Sequence, residues 1–414
     1  MTTIVVIFAL VYLGMLLGGL PFLQLDRTGI ALLGTIALLV SDSITLEDAG
    51  RAIHMPTLIL LFSFMVVAAQ LRLGGFYGWI TERFGTLRAN PPGLLAVLIA
   101  VVAGLSAVFS NDVVCLSIAP VLIDICLYRR LDPVPFLLGL ACAANIGSAA
   151  TLIGNPQNML IGGRLDLPFT GYLRDAAIPV LLGLVVTWLV IAGLWRGRWA
   201  GQSRPGLTLS ETQLANHPPT QLDGWQAAKG LMVAGTLFVL FLFSGWSREL
   251  LALGGAGLLL LSRKLHSRHM LGLVDWQVLL LFIGLFIVND ALERTGLPQR
   301  AVADLEAAGI DLHRPAVLYG VTFLLSNLVS NVPAIMLLLP VASPKDGALL
   351  ALSSTFAGNL LVVGSIANII VMDAAARRDI HIGWKRHAWV GVPVTLLTLG
   401  ISAVYLWVWP GTMR

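Results

Sequence analysis

The sequence predicts an all-α polytopic membrane protein in which two halves repeat one another upside down. Each half has about five transmembrane helices and one re-entrant hairpin. Three observations predict this. The 414 residues are 57% hydrophobic and 12% charged, with mean hydropathy +0.86, whereas soluble domains carry roughly 25% charged residues. Apolar runs of spanning length, about 17–25 residues, recur from end to end. An ordered set of polar interruptions in the first half returns in the second.

The first half spans residues 1–199, with apolar segments at about 2–20, 28–41, 56–72, 92–127, 136–163 and 176–195. The opening run, IVVIFALVYLGMLLGGL, lacks a basic leader and a small-residue cleavage site, so it is expected to be a retained helix. The stretch FYGWITERFGTLR at 76–88 is amphipathic and suits either an interfacial helix on the cytoplasmic side or an arm between two bodies. The fourth segment, about 92–127, is too long for one crossing and is interrupted by Ser110, Asn111 and Asp112. A hairpin that enters and leaves on the same side accounts for both features. The fifth, about 136–163, contains Asn145 and then IGNPQN. Pro156 removes a donor and clashes with the preceding turn, Gly154 permits the bend, and Asn155 and Asn158 supply donors and acceptors. A crossing helix unwinds there.

Residues 196–228 are rich in Pro, Gly, Ser and Thr, and a loop at about 200–228 divides the halves. The second half, 229–414, has segments at about 229–246, 248–262, 276–289, 315–343, 347–373 and 388–410. Its hairpin, about 315–343, carries Ser330, Asn331 and Val332, and Pro340-Val341 follows as Pro120-Val121 follows the first tip. Its broken helix, about 347–373, sets Asn359 opposite Asn145 and the run Gly364, Ser365 to Asn368 opposite GNPQN, so the second copy reads as shorter between its landmarks.

Five crossings per half is an odd number, which inverts the second half. With both termini outside, most of the 26 basic residues fall in inner loops, around Arg83, Arg129, Arg198, Arg263 and Arg377, as the positive-inside rule requires. That topology accounts for the basic residues, and no nucleic-acid partner is expected.

Unpaired backbone is tolerated at membrane depth only where protein or a watery cavity satisfies it. The two tips and two breaks therefore predict a binding site near the midplane. Freed carbonyls would ligate a cation, and helix N-termini would face an anion. The candidate residues are Ser110, Asn111, Asp112, Asn145, Gly154, Asn155 and Asn158 from one half, and Ser330, Asn331, Asn359, Gly364, Ser365 and Asn368 from the other. An intramembrane carboxylate marks function by default, and Asp112 can be a sodium ligand, a proton carrier or a cap of its own tip. Asp124, Asp290 and Asp373 fall near segment ends and read as boundary residues. Cys115, Cys126 and Cys142 lie in apolar segments and read as small buried hydrophobes. All seven histidines are expected in loops, so no core imidazole relay is expected. No nucleotide-binding loop, zinc-protease helix or nucleophile elbow occurs, and an enzyme is not expected.

Paired Ser-Asn tips with GNPQN, SNVP and GSIAN stretches resemble the ion transporter superfamily. Within it the chain is most similar to bacterial ArsB-like arsenite and anion permeases, which are related to divalent anion/sodium symporters and citrate transporters. The likeness covers essentially the whole chain. It implies an elevator-type carrier in a bacterial inner membrane, working as a homodimer. Ser110, Asn111, Gly154 and Asn155 would form one half-site, and Ser330, Asn331, Gly364 and Ser365 the other. A coupling sodium would sit near Ser110, Asn111, Asp112 and Gly154. The dicarboxylate symporters carry Ser-Asn-Thr tips, and Asp112 and Val332 replace both threonines here. The expected function is secondary active transport of a small anionic or metalloid solute, of the arsenite/antimonite or di/tricarboxylate type, coupled to protons or sodium and needing no other cofactor. A sodium/proton antiporter and a passive anion channel are the alternatives.

Overall fold

A computed structural model describes residues 1–18, 25–200 and 222–408. Most of the loop expected at 200–228 and the last six residues lie outside the described residues. Twenty α-helices are present among the described residues. The first half contains α1 (Thr2–Leu17), α2 (Arg27–Val40), α3 (Leu46–Ala52), α4 (Met55–Leu73), α5 (Phe76–Thr86), α6 (Pro91–Val108), α7 (Asn111–Tyr128), α8 (Pro133–Ser148), α9 (Pro156–Arg164) and α10 (Phe169–Leu194). The second contains α11 (Gly224–Phe243), α12 (Arg248–Leu260), α13 (Ser267–Leu271), α14 (Trp276–Glu293), α15 (Leu297–Ala307), α16 (Pro315–Val329), α17 (Asn331–Leu338), α18 (Gly347–Ala357), α19 (Ile366–Ala376) and α20 (Trp384–Val408).

The two series match in order and kind. Each has two long helices, a short one, a third long one, an 11-residue helix, a helical hairpin, a broken helix and a closing helix. Gly75 (φ 73°) and Gly296 (φ 70°) precede the two 11-residue helices in the left-handed conformation, which glycine adopts without a Cβ penalty. The closing helices carry matched interior prolines, Pro179 and Pro393. Helix starts are set by local chemistry. Side chains of Asp26, Asn90, Asp132, Asp223 and Asp275 accept from first-turn N–H groups of α2, α6, α8, α11 and α14, which satisfies donors that have no partner inside the helix.

Helices α8 and α18 are buried at every residue. A helix apolar all round belongs inside a bundle, and these two form its centre, packed on the hairpins α6–α7 and α16–α17 respectively. Among the described residues seven helices are long and apolar enough to cross a membrane, including the two legs of the first hairpin. Their outward faces, such as Leu181, Leu182, Val185 and Leu189 on α10, remain exposed, as lipid contact demands. Four ion pairs between separate elements, Arg378–Asp124, Arg386–Asp132, Lys264–Asp223 and Arg294–Asp48, each join residues that the sequence reading assigns to one side.

Two expectations change. The 76–88 helix, read as interfacial or as an arm, packs on the protein: Phe76, Tyr77, Thr81 and Phe84 are buried, and α5 runs along α7, with Tyr77 edge-on to Phe109 (6.4 Å) and Arg129 donating to the Leu87 carbonyl (2.9 Å). Its counterpart α15 has no buried residue. Asp124 is not merely solvated at a boundary, because the half-buried Arg378 guanidinium grips both its oxygens, at 2.6 and 3.0 Å. His387 is not in a loop. It sits in the first turn of α20 with 1% exposure, whereas His217 falls outside the described residues.

Candidate functional site

The broken helices set the site. Between α8 and α9 the chain unwinds over residues 149–155, and Asn155 then caps α9 by accepting the Asn158 N–H at 2.8 Å. Asn158 ties the break shut. Its amide donates to the carbonyls of Ser148 (3.4 Å) and Thr151 (2.9 Å), ten and seven residues earlier, and to the Tyr172 hydroxyl (3.0 Å). The second break repeats this. Asn368 donates to Gly358 (2.8 Å) and Leu361 (3.0 Å), also ten and seven residues earlier, and Ser365 caps α19 by accepting from Ala367. These matched bonds align the breaks with Asn158 on Asn368 and Gly154 on Gly364. The same alignment places Thr355, not Asn359, opposite Asn145, and the second copy is not shorter. Matching by residue type had misled the sequence reading.

The corrected alignment brings out a pseudo-twofold pair of contacts. Ser365 donates to Asn145 Oδ1 (2.8 Å), and Asn155 donates to Thr355 Oγ1 (3.3 Å). Each cap of one half thus reaches the equivalent side chain of the other. Asn145 is the centre of the network. Its Oδ1 also accepts from Asn111 at the first hairpin tip (3.0 Å), and its amide donates to Asn359 Oδ1 (2.9 Å) and Asn368 Oδ1 (3.1 Å). All four hydrogen-bonding positions of the Asn145 amide are used, and all four partners lie buried.

Gly154 lets the first hairpin and the break meet. A Cβ there would stand 2.3 Å from the Ser148 carbonyl oxygen and 2.7 Å from that of Ser106, so only glycine fits. Its own carbonyl accepts the Asn111 N–H at 3.4 Å. The Ser106 and Ser148 carbonyl oxygens both face this glycine, and the buried Ser106 hydroxyl has no protein partner. Gly364 approaches the Gly358 carbonyl in the same way, at 3.0 Å from a Cβ position.

The tips differ in strain. Ser110 precedes α7 at φ −51°, while Ser330 precedes α17 at φ 77°, ψ 160°, a region nearly confined to glycine. Neither hydroxyl caps its own helix. The N-termini of α7, α9, α17 and α19, each a positive dipole end, border the network, those of α9 and α19 capped by Asn155 and Ser365 and those of α7 and α17 without a side-chain cap. Buried oxygens of Asn111 and Asn331, and the Asn359 amide nitrogen, lack protein partners. Among the described residues no Lys or Arg donates into the network.

The structure thus gathers Asn111, Asn145, Gly154, Asn155, Asn359, Gly364, Ser365 and Asn368. Asn331 lies beside Gly358, its amide nitrogen 3.3 Å from a Cβ position there. Asn158 is a tie within its own break. Ser110, Asp112 and Ser330 stand at the tips half-buried, with no side-chain hydrogen bond to the network. Sequence reasoning missed Ser148, Gln157, Thr355 and His387. Thr355 accepts from Gln157 (3.3 Å) as well as Asn155. His387 Nε2 donates to the Asn359 carbonyl (3.1 Å), and its Nδ1 is buried without a protein partner. An imidazole therefore abuts the second break, contrary to expectation. The 210-residue offset between GNPQN and GSIAN was the signal that could have found Thr355.

Comparison with known proteins agrees with this architecture. The chain is 29% identical to the "46 kDa membrane protein" of Mycobacterium leprae, over 92% of each chain. It is 28% identical to the silicon efflux transporter LSI3 of Oryza sativa subsp. japonica, again over 92% of each. It is 21% identical to the putative transporter arsB of Dictyostelium discoideum, over 93% of this chain and 88% of that one. The crystal structure of the Alcanivorax borkumensis YdaH transporter, described as having an unusual topology, superposes with TM-score 0.60 over 99% of this chain and 98% of that one, at 14% identity, a likeness of fold alone. Residues 4–348 match the citrate transporter family. This chain is an integral membrane transporter, and it belongs to the citrate transporter family.

Proposed function

We propose that the protein is a secondary active transporter of a small, oxygen-rich solute, an arsenite-like or silicic-type hydroxylated acid ahead of a di- or tricarboxylate, driven by a proton or sodium gradient. The observation that carries this reading is the meeting of four helix N-termini around a neutral amide and hydroxyl network, with unpartnered acceptors on Asn111 and Asn331 and an unpartnered donor on Asn359. Arsenous and silicic acids are uncharged at neutral pH and present hydroxyls that both donate and accept. A multiply charged carboxylate, in contrast, would call for cationic partners at this depth. The Ser106 and Ser148 carbonyl oxygens facing Gly154 are of the ligand type that sodium takes, with Asp112 at the adjoining tip as the charge that couples it or a proton.

The arms support an elevator motion of an inverted repeat. One hairpin has its arm packed along it and the other does not, as when the hairpin-bearing body is displaced toward the end that bears α5. The positive-inside pattern makes that end cytoplasmic and leaves both termini outside.

Uptake into proteoliposomes of radiolabelled arsenite, silicate and citrate, under imposed proton or sodium gradients, tests the proposal. Accumulation that ends when the gradient is collapsed supports a carrier, and flux indifferent to the gradient would make it a passive channel. Asp112→Asn should fold yet lose dependence on the coupling ion. An unchanged ion stoichiometry would confine Asp112 to capping its tip.

A further inference from the structure

A cavity lies apart from the Asn145 network, at the end of the molecule where α7 and α10 finish and α8 and α20 begin. Its volume is about 790 Å³, within the range of sites that hold small organic ligands. Its charge is lopsided. Asp132 is fully engaged: one oxygen accepts the Val134 N–H (3.0 Å), and the other accepts from Trp195 Nε1 (3.1 Å) and from Arg386 (3.1 Å). That pair leaves two cations on the wall. Arg198 donates only to the Leu194 carbonyl, and the Lys385 ammonium stands 5.5 Å over the Trp384 ring. Neither has an ion pair with a described residue. The N-termini of α8 and α20 add their positive ends to the same space.

Apart from His381, the rest of the wall is apolar, and it runs outward. Leu131 and Trp389 line the cavity. Trp389, Val392 and Leu396 then continue along one exposed stripe of α20, at helical spacing. A tail lying on that stripe would bring its polar end to Arg198 and Lys385. Basic pockets between membrane helices on the cytoplasmic side hold anionic lipid head groups, and exposed tryptophans belong at the headgroup level.

The geometry points to a site for the phosphate of an anionic glycerophospholipid, bound at Arg198 and Lys385 with an acyl chain along α20. Native mass spectrometry of the full chain in detergent, with phosphatidylglycerol or phosphatidylethanolamine added at equal concentration, tests it. Wild type should bind phosphatidylglycerol about 25-fold more tightly, about fivefold for each of the two charges. In R198Q/K385Q that preference should fall about fivefold for each charge removed, with unchanged thermal stability, since both side chains reach open space. Equal binding of the two lipids by wild type, or an unaltered preference in the double variant, would overturn the proposal. Displacement of phosphatidylglycerol by millimolar inorganic phosphate would assign the site to a soluble phosphate compound and overturn the lipid assignment.

Discussion

Replacing Asn145 by alanine removes four buried hydrogen bonds together, to Asn111, Ser365, Asn359 and Asn368, at 2.8–3.1 Å. A side-chain hydrogen bond between membrane helices contributes about 0.6 kcal/mol on average, and net values in proteins reach about 1.5 kcal/mol. The loss should therefore be about 2.5–6 kcal/mol, because the four former partners come from three separate elements and cannot collapse onto one another. Thr355 occupies the equivalent place in the other half but accepts only two longer bonds, both at 3.3 Å. Thr355→Val should cost about 1 kcal/mol. Reversible unfolding in mixed micelles measures both, and uptake into proteoliposomes should fall more than tenfold for Asn145→Ala while Thr355→Val retains a measurable rate. Equal costs at the two positions, or less than about 1 kcal/mol at Asn145, would refute the assignment of Asn145 as the centre of the network.

Ser330→Gly should raise stability by about 1 kcal/mol by relieving the strained backbone at φ 77°, and should slow transport by loosening the tip; destabilisation in the same unfolding assay would contradict this. Gly154→Ala should abolish uptake, since the new methyl meets two backbone carbonyls that belong to rigid helix ends, whereas Gly193→Ala, in open space, should leave transport as it is. His54, at the start of α4, has its pKa lowered to about 4 by burial and by the Arg164 charge. Between pH 6.5 and about 4 the unfolded chain takes up a proton that the folded chain refuses, so stability falls as pH drops through that window. His54→Gln should lessen the loss of thermal stability between pH 7 and pH 5, and an identical loss would refute the linkage.

The helical segments were legible because lipid imposes length and polarity together: the expected 28–41 and 56–72 appear as Arg27–Val40 and Met55–Leu73. The breaks were legible because Pro156 and the Ser-Asn tips are costly in hydrocarbon unless structure compensates them. The register between halves was not. Asn145 and Asn359 share a residue type, yet the backbone-tying bonds of Asn158 and Asn368 set the alignment, and a side-chain-to-carbonyl tie leaves no pattern beyond a single asparagine. Thr355 escaped notice because threonine in a helix ordinarily bonds the preceding turn. His387 escaped because α20 begins at Trp384, earlier than its apolar run suggests. The second arm, Leu297–Ala307, escaped because its apolar residues Leu297, Val302 and Leu305 are separated by polar ones over only 11 residues.

The central claim is that both hairpin tips face one solute. In a background with Cys115, Cys126 and Cys142 replaced, Ser110→Cys and Ser330→Cys can be probed separately with a membrane-impermeant maleimide in proteoliposomes, with and without silicate or citrate, whichever the wild type accumulates. The account predicts that this one compound slows labelling at both positions, over the same concentration range. Protection at one tip alone, or at neither, would contradict it.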